Sequence, residues 1–92
     1  MPPDSSEEEP LPRLPGFREM AQRRRALADE LVAHRQTSGL SQTEVAARMG
    51  TSQSAVARLE SGEADLRLST LEKYASAVGQ RLDVRLTDDE GR

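Results

Sequence analysis

From Phe17 onward the apolar residues recur at helical spacing: Met20, Leu27 and Leu31, with Ala28 and Val32 beside them, form one stripe that runs toward Gly39. A long first helix of about 20 residues is predicted there. Next, Ser41-Gln42-Thr43-Glu44 spells a capping box, in which the serine oxygen accepts the Glu44 N–H and the Glu44 carboxylate reaches back to the N–H of Ser41. A second helix should start at that point and stop at Gly50, a residue suited to a left-handed C-cap. Thr51 or Ser52 can cap a third helix whose inward side is Ala55, Val56 and Leu59 and whose end is Gly62. Ser69-Thr70-Leu71-Glu72 reads as another capping box, opening a fourth helix through Leu71, Tyr74, Ala75 and Val78 to Gly79. Small residues at Ala46, Ala47 and Ala55 would let the second and third helices cross closely.

After Gly79 the period changes. Leu82, Val84 and Leu86 alternate with Asp83 and Arg85, the pattern of a strand. A lone strand is unstable, and no second one is evident, so this segment is expected to pair with its own copy across a two-fold axis. Ahead of Phe17, "MPPDSSEEEPLPRLPG" holds all five prolines and no apolar period. The chain thus divides into a disordered acidic, proline-rich tail (1–16), a helical domain (17–80), a dimerisation strand (81–87) and a short acidic tail (88–92).

Composition narrows the function. With 92 residues there is room for one small domain, which buries only about 60 to 65% of its unfolded surface. Association with another chain would add buried area. No cysteine is present, which removes disulfides and thiolate chemistry and suits a cytoplasmic protein. No apolar run approaches the roughly 20 residues needed to span a bilayer, so no membrane partner is expected. The net charge of −3 hides an uneven distribution: residues 1–16 carry four acids against one Arg, residues 17–60 seven Arg against five acids, and residues 61–92 five Lys or Arg against seven acids. The basic share falls on the paired helices, and the local field is what a phosphate backbone meets. An enzyme needs a nucleophile beside a base, a metal cluster or a phosphate loop. One His, His34, and acids placed mostly at helix starts supply none of these, so no catalytic residue, cofactor or metal ion is expected.

Two short helices joined through a glycine let one helix lie across a DNA backbone while the next enters the major groove. In "LSQTEVAARMGTSQSAVARLESG" the Gln after the cap, the Ala-x-x-x-Gly turn, the Ser-x-x-x-x-x-Leu-Glu and the closing Gly stand together. On these residues the stretch 31–79, about half the chain, resembles the Xre or Cro/cI helix-turn-helix family of phage repressors, bacterial regulators and antitoxins. The resemblance implies an all-α, lambda-repressor-like domain of four to five helices, with the C-terminal strand pairing across a homodimer. It implies a sequence-specific regulator that reads the major groove of double-stranded DNA through helix 52–61 and represses its own promoter.

Carried over position by position, Gln53, Ser54 and Arg58 match base-reading positions: Arg suits guanine O6 and N7, and Gln suits adenine N6 and N7. Gln42 matches a phosphate-holding glutamine, and Thr51 and Ser61 fall at backbone-contacting places. Arg35 and Glu60 match an ion pair tying the first helix to the recognition helix. Two departures weaken generic affinity: Ser61 stands where Asn is common, and "GEADLRLS" offers only Arg67 against phosphate. Arg23, Arg24 and Arg25 read as a solvated face. The stretch "DLRLSTLEKYASAVGQRLDVRL" is similar to antitoxins of the HigA type, which brings in the alternative of an antitoxin that also neutralises a small toxin encoded next to it. A further alternative is a protein-interaction module that has lost DNA binding.

Overall fold

The computed structural model describes residues 16–63 and 65–88. The two acidic tails expected from the sequence lie outside these residues, apart from Gly16 and Asp88. Four helices follow one another among the described residues: α1 (Phe17–Thr37), α2 (Gln42–Met49), α3 (Gln53–Ser61) and α4 (Leu68–Ala77).

Local chemistry sets most of the boundaries. The Ser41 hydroxyl accepts the Glu44 N–H at 3.0 Å and the Glu44 carboxylate accepts the Ser41 N–H at 2.8 Å, so two of the free donors at the start of α2 are satisfied reciprocally. That bonding favours the ionised acid, and the backbone bond at Ser41 is the main reason the Glu44 carboxyl is held below its usual range. Ser52 caps α3 by accepting from the Ala55 N–H. Helices α2 and α3 both end on a glycine at positive φ, Gly50 and Gly62.

The fourth helix departs from the expectation. It begins at Leu68, with Arg67 as a cap residue that makes no side-chain bond, and Ser69 sits inside the first turn. The Leu71 N–H already finds the Arg67 carbonyl at 3.0 Å, so the helix continues upstream of the serine. A cap contributes only about 1 kcal/mol, too little to fix a boundary against that continuation.

Leu31, Val45, Ala46, Val56, Leu59, Leu71, Tyr74, Ala77 and Val78 form the core, with Leu27, Leu40, Met49, Leu66 and Leu82 packed around it. Each of the large side chains contributes roughly 1.5 to 3 kcal/mol by leaving water. Ala55 and Ala47, expected at the helix crossing, are exposed. The buried residues of α3 are Val56 and Leu59, three residues apart, and Ala55, about one turn before Leu59, lies at the solvent edge of that stripe on the side away from Val56.

The C-terminal strand is not formed. Residues 81–87 have no regular secondary structure, and no strand occurs among the described residues. A strand exists through hydrogen bonds to a neighbour, and the fold of one chain offers this segment none. Leu82 packs on the core, whereas Val84 is 64% exposed and Leu86 98%. The alternating pattern therefore reflects one anchoring leucine followed by solvated positions.

Candidate nucleic-acid interface

Helices α2 and α3 make the largest helix–helix contact of the fold. Between them Gly50 adopts φ +74°, and its N–H and that of Thr51 return to the carbonyls of Ala47 and Ala46. The chain reverses there at little steric cost, because glycine has no Cβ. This turn leaves Gln53, Ser54 and Arg58 exposed on α3.

Gln42, at the first position of α2, comes next to Gln53. The Gln53 Nε2 donates to Gln42 Oε1 at 2.6 Å, and the Gln42 Nε2 donates to Glu60 Oε1 at 2.9 Å. Ser54 shares a 3.2 Å contact with the Ser52 hydroxyl. Arg58 lines a shallow open groove with Ala55, Leu59, Asp65, Leu66, Arg67 and Thr70, which places two arginines along one furrow beside α3. Thr51 is exposed at the turn. Ser61 is exposed too, but its hydroxyl donates to the Arg58 carbonyl at 2.7 Å and accepts the Glu63 N–H, so its proton is committed to the end of α3.

Beneath this face lies a charged cluster. Arg35 grips Glu60 through both carboxylate oxygens, Nε to Oε2 at 2.7 Å and Nη2 to Oε1 at 3.1 Å, while its Nη1 donates to the Leu40 carbonyl. The side chains are only 13% and 5% exposed. A planar guanidinium suits such a two-point grip better than an ammonium would. The Tyr74 hydroxyl lies 2.5 Å from Glu60 Oε2 and 3.1 Å from the Leu31 carbonyl. With one proton to give, it donates to the carboxylate, the charged and nearer acceptor.

The titration of these groups follows from the bonding. Burial alone would raise the Glu60 carboxyl, but bonds from Arg35, Tyr74 and Gln42 and the Arg35 charge together outweigh it and hold the group below the usual carboxylate range. Burial, then the bond to Glu60 and its charge, push the Tyr74 phenol well above its ordinary value. The hydrogen bond to Glu60 raises Arg35, with burial opposing.

Tyr74 is the member of this cluster that the sequence hid. Helical spacing marks it as core, and a buried phenol needs a partner for its hydroxyl, yet nothing local names Glu60 as that partner. Gln42 is likewise tied to Glu60 in a way the sequence did not disclose. The Arg23–Arg25 run splits: Arg23 and Arg25 are exposed, while Arg24 is half-buried, 3.9 Å from Asp65, with its Nε enclosed and unpaired. No cluster of His, Cys, Asp or Glu able to hold a metal ion occurs among the described residues, and none of their helices is long and apolar enough to cross a membrane.

A family model described as helix-turn-helix matches residues 31–84. Over 71 residues the chain is 45% identical to Antitoxin HigA1 from two strains of Mycobacterium tuberculosis, a match that takes in 77% of this chain and 48% of that protein. It is 36% identical over 59 residues to an uncharacterized HTH-type transcriptional regulator of Haemophilus influenzae, covering 64% of this chain and 60% of the relative. The chain thus spans about half the length of the curated relatives it matches. No solved structure matches it.

Proposed function

The chain belongs to the helix-turn-helix family, and from that premise we propose that it is a sequence-specific DNA-binding transcriptional regulator that acts in the cytoplasm and represses its own promoter. The observation that carries this reading is the exposed polar face of α3, held at a fixed angle by α2 through Gln42 and Gln53. Gln53, Ser54 and Arg58 read base edges from the major groove, and each good bidentate pair is worth about 1 to 3 kcal/mol of discrimination. Gln42 keeps one amide N–H beyond its bond to Glu60, and together with the free N–H groups at the start of α2 it meets a phosphate. Thr51 supports that contact at the turn. Ser61 can meet phosphate only by giving up its bond to Arg58.

The regulator acts as a homodimer on a pseudo-palindromic site. Supporting a second copy are the small size of the core and the large apolar side chains left in solvent, Leu68 at 52% along with Val84 and Leu86.

The test is a mobility-shift titration of the protein onto the duplex upstream of its own gene, beside a scrambled duplex, at two salt concentrations. Preference for the native duplex is expected, with log affinity falling by about 0.9 per tenfold rise in salt for each phosphate neutralised. Equal and salt-insensitive binding to both duplexes would leave only a protein-interaction module. A second reading, an antitoxin that also neutralises a small toxin, is favoured by the 45% identity to Antitoxin HigA1. It requires that a small protein encoded beside this gene copurify with the chain, and failure of that neighbour to bind removes it.

A further inference from the structure

Four side chains from three helices make one continuous hydrogen-bonded line from the core to the α3 surface. Tyr74 of α4 has no exposed surface and donates to Glu60 of α3 at 2.5 Å. Glu60 accepts from Gln42 of α2 at 2.9 Å, and Gln42 accepts from Gln53 of α3 at 2.6 Å. Every proton along this line points toward Glu60.

That direction has a chemical consequence. An ionised carboxylate only accepts, so the Gln42 amide must turn its nitrogen inward and its oxygen outward. The outward oxygen in turn demands an N–H from Gln53. One end of an otherwise freely flipping amide is thereby assigned, and the Gln53 Oε1 and remaining N–H are left as an acceptor and a donor of fixed handedness. An adenine presents the matching donor and acceptor at N6 and N7. Arg35 holds both carboxylate oxygens from one side, and the Tyr74 hydroxyl holds Oε2 from α4. The position of Oε1, to which Gln42 answers, therefore depends on two anchors, Arg35 of α1 and Tyr74 of α4, and of these the Tyr74 hydroxyl can be removed without taking away the carboxylate's counter-charge.

We propose that Tyr74 is a specificity-positioning residue: through Glu60 and Gln42 its buried hydroxyl sets the orientation in which Gln53 reads a base. This rests on the DNA-reading function proposed above. Tyr74 itself touches no DNA, and its removal changes discrimination more than affinity for DNA at large, since Gln42 is the one phosphate-contacting residue on the line.

Tyr74→Phe tests it, since the ring and its packing remain. Native and scrambled duplexes are titrated with wild type, Tyr74→Phe, Gln53→Ala and the double variant. The native-to-scrambled affinity ratio is expected to fall about three- to tenfold in Tyr74→Phe, the scale of one net hydrogen bond, with scrambled-duplex affinity falling by less than native-duplex affinity. In the Gln53→Ala background the Tyr substitution should change the ratio no further. Side-chain amide NMR of the free wild-type protein gives a second readout that needs no variant to fold: the Gln53 amide protons should exchange more slowly than those of exposed Gln80. Equal exchange, or a ratio that Tyr74→Phe leaves intact, overturns the assignment. A wild type with no preference for the native duplex overturns the DNA-reading function itself, and the role of Tyr74 with it.

Discussion

Glu60 receives a guanidinium fork, a phenol and an amide while only 5% of its side chain meets water. Buried ion pairs of this kind contribute little over an apolar replacement, but breaking one by removing a single partner costs about 3 to 5 kcal/mol, because a charge is left without compensation. Its carboxyl is held below its value in the unfolded chain, which is about 4.3. The folded state therefore binds fewer protons than the unfolded one on the acid side. The stabilisation is present in full above about pH 5 and is lost as pH falls through 4 and below. Urea unfolding followed from about pH 7 to about pH 3 should show stability dropping across that window, with the drop shrunken in Arg35→Ala; a flat profile would show that Glu60 is not held as described. Arg35 and Glu60 were legible in the sequence because their places relative to the helix-turn-helix motif are distinctive. The Tyr74 contact was not, since it depends on where α4 crosses α3, a distance of 14 residues that no local pattern encodes.

At the scale of the elements, the glycines at the ends of α2 and α3 share a conformation but not an environment. Gly50 has φ +74° with nothing near the place a Cβ would occupy. Gly62, at φ +73°, would set a Cβ 3.2 Å from both the Ala28 Cβ and the Arg25 Cα of α1. A side chain at either position meets the left-handed penalty of about 1 to 2 kcal/mol, but only at Gly62 must it also push two helices apart. Gly62→Ala should thus lower the thermal midpoint more than Gly50→Ala, and equal losses would mean that the α1–α3 seam yields freely. Helix boundaries show the same division between local and tertiary causes. The Ser41–Glu44 box could be read directly because all of its atoms lie within one turn. The Ser69–Glu72 motif misled, because Leu66 ahead of it packs on the core and the bond from the Leu71 N–H to the Arg67 carbonyl carries the helix upstream of the serine. The alternation at 82–86 misled for a related reason: a period of two states which residues share a side, but a strand also needs a neighbour.

For the molecule as a whole, a net charge of −3 means that the proposed DNA binding must rest on a local field, and in the proposed dimer affinity should come from two weakly basic faces acting together rather than from one strong one. If two copies bind half-sites about one helical turn apart, inserting about five base pairs between the half-sites turns one of them to the far side of the duplex. Affinity is then expected to fall toward that of a single half-site, with recovery at about ten inserted pairs; indifference to spacing would mean that the copies bind independently. The same whole-molecule view gives Tyr74 a second use. The chain has one tyrosine and no tryptophan, so its intrinsic ultraviolet emission comes almost wholly from the ring where α1, α3 and α4 meet. A carboxylate that accepts a hydrogen bond from the phenol is expected to quench such a ring, so the folded protein should be dimmer than its unfolded chain. Without any attached dye, the protein's own light should report whether the joint behind the exposed face of α3 is closed.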